Sequence, residues 1–122
     1  GGMFTAEGDA PGSDSSNVPR PPGARRTFSA LVPDRPYAVR MYESRESREA
    51  ILAYYDESMP KAGWVERPSS EGDELRALVR AFSRADTVAF VILDAEREGD
   101  RPVTLVELGG KGFAYATAEA SD

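Results

Sequence analysis

Residues 42–64 constrain the fold of this chain more than any other segment, because they combine a strand end, one helix and a return turn. Ser47 has the side chain of a helix N-cap, since its hydroxyl can accept from free amides of the first turn. Pro60 and Gly63 are residues at which helices commonly end. The spacing predicts a helix over about 47–61 with one apolar stripe, formed by Ile51, Leu52, Tyr55 and Met59.

The segments on either side of this helix have the composition of β-strands. Residues 25–32 resemble an edge strand, and residues 37–43 alternate as a half-buried strand does. Trp64 is predicted to lie in the core at the start of a return strand. The later strands are expected at 87–93, which is β-branched and aromatic, and at 103–108.

One segment is ambiguous from the sequence. Leu75, Leu78, Val79 and Phe82 are spaced as on a helix, but residues 79–84 would also pair as a strand. The short connection to the strand at 87–93 favours an antiparallel neighbour, so we predict a strand over 76–84. The fold class predicted is α+β, with one main helix packed on an antiparallel sheet of four to six strands.

The ends of the chain differ in composition from its middle. Residues 1–22 are rich in Gly, Pro, Ser and Asp, which predicts a flexible leader because few apolar side chains are available for burial. We predict a single α+β domain over 23–115 and a disordered tail over 116–122. Gly1-Gly2 before Met3 is either a cloning scar or the end left by a processed segment.

The composition argues against most enzyme classes. The 122 residues include no Cys and no His, which removes thiol catalysis, the usual general base and the commonest metal ligands. The acidic turn at 94–100 lacks the final Glu of a calcium loop, and Gly109-Gly110-Lys111-Gly112 lacks the Ser/Thr and helix of a phosphate loop. We expect no catalytic residue, no cofactor and no metal site.

The charge pattern argues against nucleic acid as a partner. The net charge is -6, from 21 acidic and 15 basic residues, and the acids are interspersed with arginines. No basic stripe is available to follow phosphates. The alternative recognition surface is built from Tyr and Arg, which are enriched at interface hot spots. The candidate interface residues are Tyr54, Arg40, Arg76, Arg80 and Arg84.

Three motifs together resemble small envelope-associated bacterial domains and lipoproteins. They are Pro-Pro-Gly-Ala-Arg-Arg at 21–26, Ser-Arg-Glu-Ala-Ile-Leu-Ala-Tyr-Tyr at 47–55, and Met-Pro-Lys-Ala-Gly-Trp at 59–64. The chain departs from the pattern at Arg48, where proline is frequent, and it contains no Cys that could be acylated. The resemblance implies a non-catalytic α+β domain held at the cell envelope by an N-terminal tether.

Two functions are compatible with these observations. The first is a protein-interaction or scaffolding module of the bacterial envelope or periplasm, an accessory subunit that reaches a membrane only through a tether. Its partner protein would bind an exposed sheet edge or the Tyr54 and arginine face. The alternative is a cytosolic acidic inhibitor of the immunity type, which would bind a basic partner.

Overall fold

The computed structural model describes residues 8–32, 37–68, 72–94 and 99–109. It is an α+β fold with one six-stranded antiparallel sheet, in the order β1-β2-β6-β5-β4-β3. In chain order the elements are β1 (Ala24–Val32), β2 (Tyr37–Ser44), α1 (Arg48–Lys61), β3 (Val65–Glu66), α2 (Asp73–Arg76), β4 (Val79–Arg84), β5 (Thr87–Leu93) and β6 (Arg101–Leu108). The predicted fold class and the main helix are confirmed.

Helix α1 begins and ends where the sequence predicts. The amide of Ala50 donates to the Ser47 hydroxyl over 3.1 Å, which caps the first turn. At the other end Gly63 has φ +90, and the amide of Trp64 donates back to the Met59 carbonyl over 3.0 Å. This left-handed glycine turns the chain directly into β3.

The core lies between α1 and one face of the sheet, which we call the core face. All four residues of the predicted helical stripe are buried against it. Trp64 is 2% exposed, so its predicted core position is confirmed. The sheet contributes apolar residues from four of its strands, namely Tyr42, Phe82, Ala89, Val91, Leu93, Val103 and Leu105.

The prediction of a flexible leader over 1–22 is corrected for residues 8–22, which pack onto the core face. Val18 is 2% exposed and belongs to the core. The Asn17 carbonyl accepts from Trp64 Nε1 over 2.9 Å, and the Pro19 carbonyl accepts from the Tyr55 hydroxyl over 2.7 Å. Hydrogen bonds hold this segment where few apolar side chains were available. Residues 1–7 and the predicted tail at 116–122 lie outside the described residues.

The ambiguous segment contains both structures that its sequence allowed. The short helix α2 takes the first residues, and the Leu78 amide donates to the Leu75 carbonyl over 2.9 Å after it. The strand itself begins at Val79, three residues later than predicted. Among the described residues no helix is long and apolar enough to cross a membrane.

Candidate functional site

The face of the sheet opposite α1 is apolar over five adjacent strands, and we call it the outer face. Cross-strand pairing arranges its side chains in three rows, each running from β1 through β2, β6 and β5 to β4. The first row is Phe28, Met41, Thr104, Ile92 and Val79. The second is Ala30, Val39, Val106, Phe90 and Ala81. The third is Val32, Tyr37, Leu108, Val88 and Ser83.

None of the side chains in these rows is charged, although charged residues make up 30% of the chain. Four large apolar residues of the outer face are more than a third exposed, namely Phe28 (47%), Tyr37 (43%), Met41 (39%) and Ile92 (38%). Scattered exposed apolar residues are ordinary, but a contiguous patch of this kind is a candidate interaction site.

A β-bulge in β1 directs Phe28 onto the outer face. Arg26 pairs with Tyr42 on the core face, and the register then shifts so that Phe28 pairs with Met41 on the opposite face. Without this shift in register, Phe28 would lie on the same face as Arg26, toward the core. Bulges re-aim side chains in this way, often beside functional sites.

A cavity of about 220 Å³ lies at the β4 end of the outer face. Its apolar walls are formed by Pro68, Leu75, Val79, Ala81 and Phe90, and its remaining lining residues are the charged Glu66, Arg67, Arg76 and Arg80. Its volume is below the range of about 300–1,000 Å³ that small-molecule sites occupy. The cavity is therefore of a size for one side chain of a partner.

The arginines predicted at an interface form contacts within the chain. Arg80 is 9% exposed and donates to Asp56 of α1 over 2.9 Å. Arg84 lies 4.9 Å from the Trp64 ring centroid, in a cation–π geometry. Arg76 forms an ion pair with Glu66 over 2.6 Å. These contacts join α1 and the loops to the sheet.

The remaining two predicted residues do not join them in one patch. Arg40 is on β2, separated from the β4 arginines by β6 and β5, and it is 6% exposed. Its guanidinium pairs with Glu107 over 2.9 Å and donates to the Ser13 carbonyl over 2.6 Å. Tyr54 is half-buried, with its ring edge-on to Tyr55 at 5.1 Å. The interface predicted from these residues stays a prediction.

A buried polar cluster fastens residues 8–22 to the core face. Asp14 accepts from the Tyr42 hydroxyl and from Arg26, both over 2.7 Å, and from Arg20 over 2.8 Å. Arg20 also donates to Asp9 over 2.9 Å. Two carboxylates are thus matched by two guanidinium groups, and the charges compensate each other.

The pKa values in this cluster describe a structural role. Burial alone would raise the pKa of Asp14, but hydrogen bonds from Arg20, Tyr42 and Arg26 together outweigh burial and lower it to about 2. The hydrogen bond from Arg20 likewise lowers the pKa of Asp9. Carboxylates held ionised in this way are poor general acids or bases near neutral pH. Nor does any group of acidic side chains in the described ranges have the arrangement to hold a metal ion.

The sequence of β5 contains a signal for the outer face that none of the motifs above includes. Strand β5 is apolar on both of its faces. Val88, Phe90 and Ile92 lie on one face and alternate with Ala89, Val91 and Leu93 on the other. A strand that is apolar on both sides is typical of a sheet covered on two faces. With a single main helix among the described residues, one of those faces has no helix to cover it.

Comparison of the chain with protein-family models, with curated proteins and with solved structures finds no match. The resemblance to envelope-associated domains therefore stays a prediction. The assignment of function depends on the geometry of the outer face.

Proposed function

We propose that this protein is a non-catalytic protein-interaction module that docks a partner protein through its outer face. The observation that carries this proposal is the uncharged, apolar surface that extends over five strands. Burial of exposed apolar side chains such as Phe28 and Ile92 against a partner would lower the free energy of the complex. An aromatic anchor and a side-chain-sized cavity on the same surface are features of interface hot spots.

The sheet edges support binding by strand addition less well. At the β1 edge the Ala10 amide donates to the Arg26 carbonyl over 2.8 Å, and the Gly12 and Ser13 carbonyls accept from Arg26 and Ser29 side chains. This part of the edge is thereby covered by the chain's own N-terminal segment. At the opposite edge β3 is two residues long, which is short for a template.

The setting that we propose is the bacterial envelope, where the module would be an accessory subunit of a larger assembly. Its support is the resemblance of residues 21–64 to envelope-associated domains. The alternative, an acidic inhibitor of a basic partner, draws less support from the geometry. Many of the carboxylates it would need already pair with arginines, as do Asp14, Glu43, Asp56, Glu66 and Glu107.

An affinity experiment with three baits tests the proposal. The baits are the wild-type chain, Ile92→Glu on the outer face, and Ala53→Glu on the exposed side of α1. Each is incubated with envelope and cytosolic fractions, and each captured protein is purified and its affinity measured by calorimetry. We expect a partner that binds the wild type and Ala53→Glu but binds Ile92→Glu at least about 100-fold more weakly, because a carboxylate would be buried unpaired. Equal affinity for all three baits would refute docking through the outer face.

A further inference from the structure

We propose that the outer face binds the outer face of a second copy of this chain, so that the module is a two-fold symmetric homodimer. This inference rests on the proposed function, and it names the partner. Three properties of the face support a second copy over an unrelated protein: its charge, its area and the positions of its anchor and cavity.

The charge distribution permits the face to pack against itself. Two copies would bring together three uncharged rows from each chain, so no charged side chain of these rows would be buried. Of the charges that border these rows, Arg25 and Glu43 pair with each other over 2.5 Å. Asp94 lies beyond Ile92 at the end of β5, and Arg67 lines the cavity beside β4. A partner of strongly basic or acidic character would find no complementary group on these rows.

The area is sufficient for a dimer of moderate affinity. Five strands spaced about 4.8 Å apart, with three rows about 6.8 Å apart, form a patch of about 24 by 20 Å. Two such patches would bury about 1,000 Å² in total, which is the lower limit for a specific interface. We therefore expect a reversible dimer with a micromolar Kd, in which two sheets pack face to face.

The anchor and the cavity are placed so that a two-fold axis brings them together. β6 is the middle of the five strands, and Val106 is the middle residue of the middle row. A two-fold axis that runs parallel to β6, between the two outer faces, places β1 of one copy over β4 of the other. Phe28 is at the β1 end of the first row, and Val79, a wall of the cavity, is at its β4 end. Each copy would insert its Phe28 beside the cavity of its partner, twice per dimer.

Sedimentation equilibrium over protein concentrations from about 1 μM to 1 mM tests the dimer directly. The test variant is Phe28→Glu, and its matched control is Leu31→Glu, three residues further along β1. Leu31 is even more exposed than Phe28, at 64% against 47%, but it pairs with Ala38 on the core-face side of the sheet. We expect the dimer Kd of Phe28→Glu to rise at least about 100-fold and that of Leu31→Glu to stay within about two-fold of wild type.

A second pair of variants tests the dimer without weakening its interface. The chain has no Cys, so Val106→Cys introduces one thiol next to the expected two-fold axis. Mild oxidation by oxidised glutathione should form a disulfide-linked dimer, with two thiols losing two electrons and two protons to the glutathione disulfide. Ala53→Cys, on the exposed side of α1, should give far less dimer under the same conditions.

The salt dependence adds an independent readout. Each copy has a net charge of -6, so the two copies repel each other at long range and added salt should tighten the dimer. Wild-type monomer at every concentration, or equal Kd values for wild type and folded Phe28→Glu, would overturn the homodimer. Circular dichroism verifies folding, and Ile92→Glu replaces Phe28→Glu if the latter does not fold.

The two proposals fail in different ways. A monomeric wild type that still captures another protein through Ile92 would overturn the homodimer and leave docking through the outer face intact. A dimer that survives both Phe28→Glu and Ile92→Glu would place the dimer contact elsewhere on the chain. A monomer whose captured proteins bind all three baits equally would refute both proposals.

Discussion

Phe82 and Phe90 show how differently the two faces of this sheet are used. Each phenylalanine lies opposite an alanine on the neighbouring strand, because Phe82 pairs with Ala89 and Phe90 with Ala81. Phe82 points to the core face and is fully buried, whereas Phe90 points to the outer face and is only partly buried. Two residues of one type, in one hairpin, thus differ only in what covers them.

The difference teaches that apolar composition alone does not locate the core of a two-layer domain. The core face is closed by α1 and by residues 8–22, which bring both apolar contacts and hydrogen bonds. The outer face has the same kind of side chains, but several of them, such as Phe28 and Ile92, remain exposed. A sheet with two apolar faces and one layer of helix is the observation on which the proposed docking rests.

The largest effect on stability is expected from truncation of the two phenylalanines to alanine. Phe82→Ala should destabilise the fold by about 3–5 kcal/mol, because it opens a cavity in a closed core. Phe90→Ala should cost about 1–2 kcal/mol in dilute monomer, since its ring is already partly in water. Urea denaturation of both variants measures the two free energies of unfolding. Equal losses would show that the two faces are equally closed, contrary to the comparison.

Asp14→Asn tests how strongly the polar cluster closes the core face. The carboxylate accepts hydrogen bonds from Arg20, Arg26 and Tyr42, and Arg26 is 3% exposed. Loss of the charge should cost about 2–3 kcal/mol, because a buried guanidinium loses a close anion. Urea denaturation at neutral pH gives the value, with Asp100→Asn on an exposed turn as control. A loss no greater than that of the control would show that the cluster does not hold residues 8–22.

The same cluster predicts how stability depends on pH. The pKa of Asp14 is about 2 in the folded protein against an ordinary value of 3.8, so its stabilisation is complete above about pH 4 and is lost as the pH falls through 2. Denaturation midpoints from pH 5 to pH 2 should fall for wild type and fall less steeply for Asp14→Asn. Parallel curves for the two proteins would contradict this assignment.

Val18→Ala tests whether residues 8–22 are part of the core. Val18 is 2% exposed, and removal of its two methyl groups should cost about 1.5–2 kcal/mol. Val65→Ala is the matched control, because Val65 is 65% exposed and should lose less than about 0.5 kcal/mol. Thermal unfolding of both variants distinguishes them. Similar small losses of stability in both variants would show that residues 8–22 are not part of the core, in agreement with the flexible leader predicted from the sequence.

The smallest expected effect concerns the edge of the core beside β4. Arg84 lies over the Trp64 ring and donates to the Asn17 side chain over 2.7 Å, at the border between solvent and core. Arg84→Gln should cost about 0.5–1 kcal/mol through the lost cation–π contact. Arg84→Lys should recover part of this loss, because it retains the charge. If Arg84→Gln is as stable as wild type, the contact does not contribute to closing the core face.

Local features of the fold could be predicted from the sequence because neighbouring residues determine them. Ser47 caps a helix through an amide three residues away, and Gly63 ends it through its own backbone freedom. The antiparallel pairing of β4 with β5 could be predicted because the connection between them is only two residues long. Between 76 and 84 the local signals conflicted, and the structure resolved them as a helical turn followed by a strand.

The candidate site was less predictable, because it is a property of the assembled sheet. The arginines that suggested an interface are used in contacts with distant residues, such as Arg40 with Glu107, 67 positions away. The outer face was not predicted, since three rows that cross five strands become a surface only once the register is set. The alternation of residues in β1 does not predict the bulge that places Phe28 on that face.

The sequence by itself determined the helix, its caps, the main strands and the α+β class, all through interactions within a few residues. Only the tertiary structure decided that residues 8–22 belong to the domain, since Trp64 and Asn17 meet from 47 positions apart. It also decided which apolar residues are core and which form the outer face. The physical reason is that burial depends on which distant segment covers a side chain, whereas a helix turn depends on its neighbours.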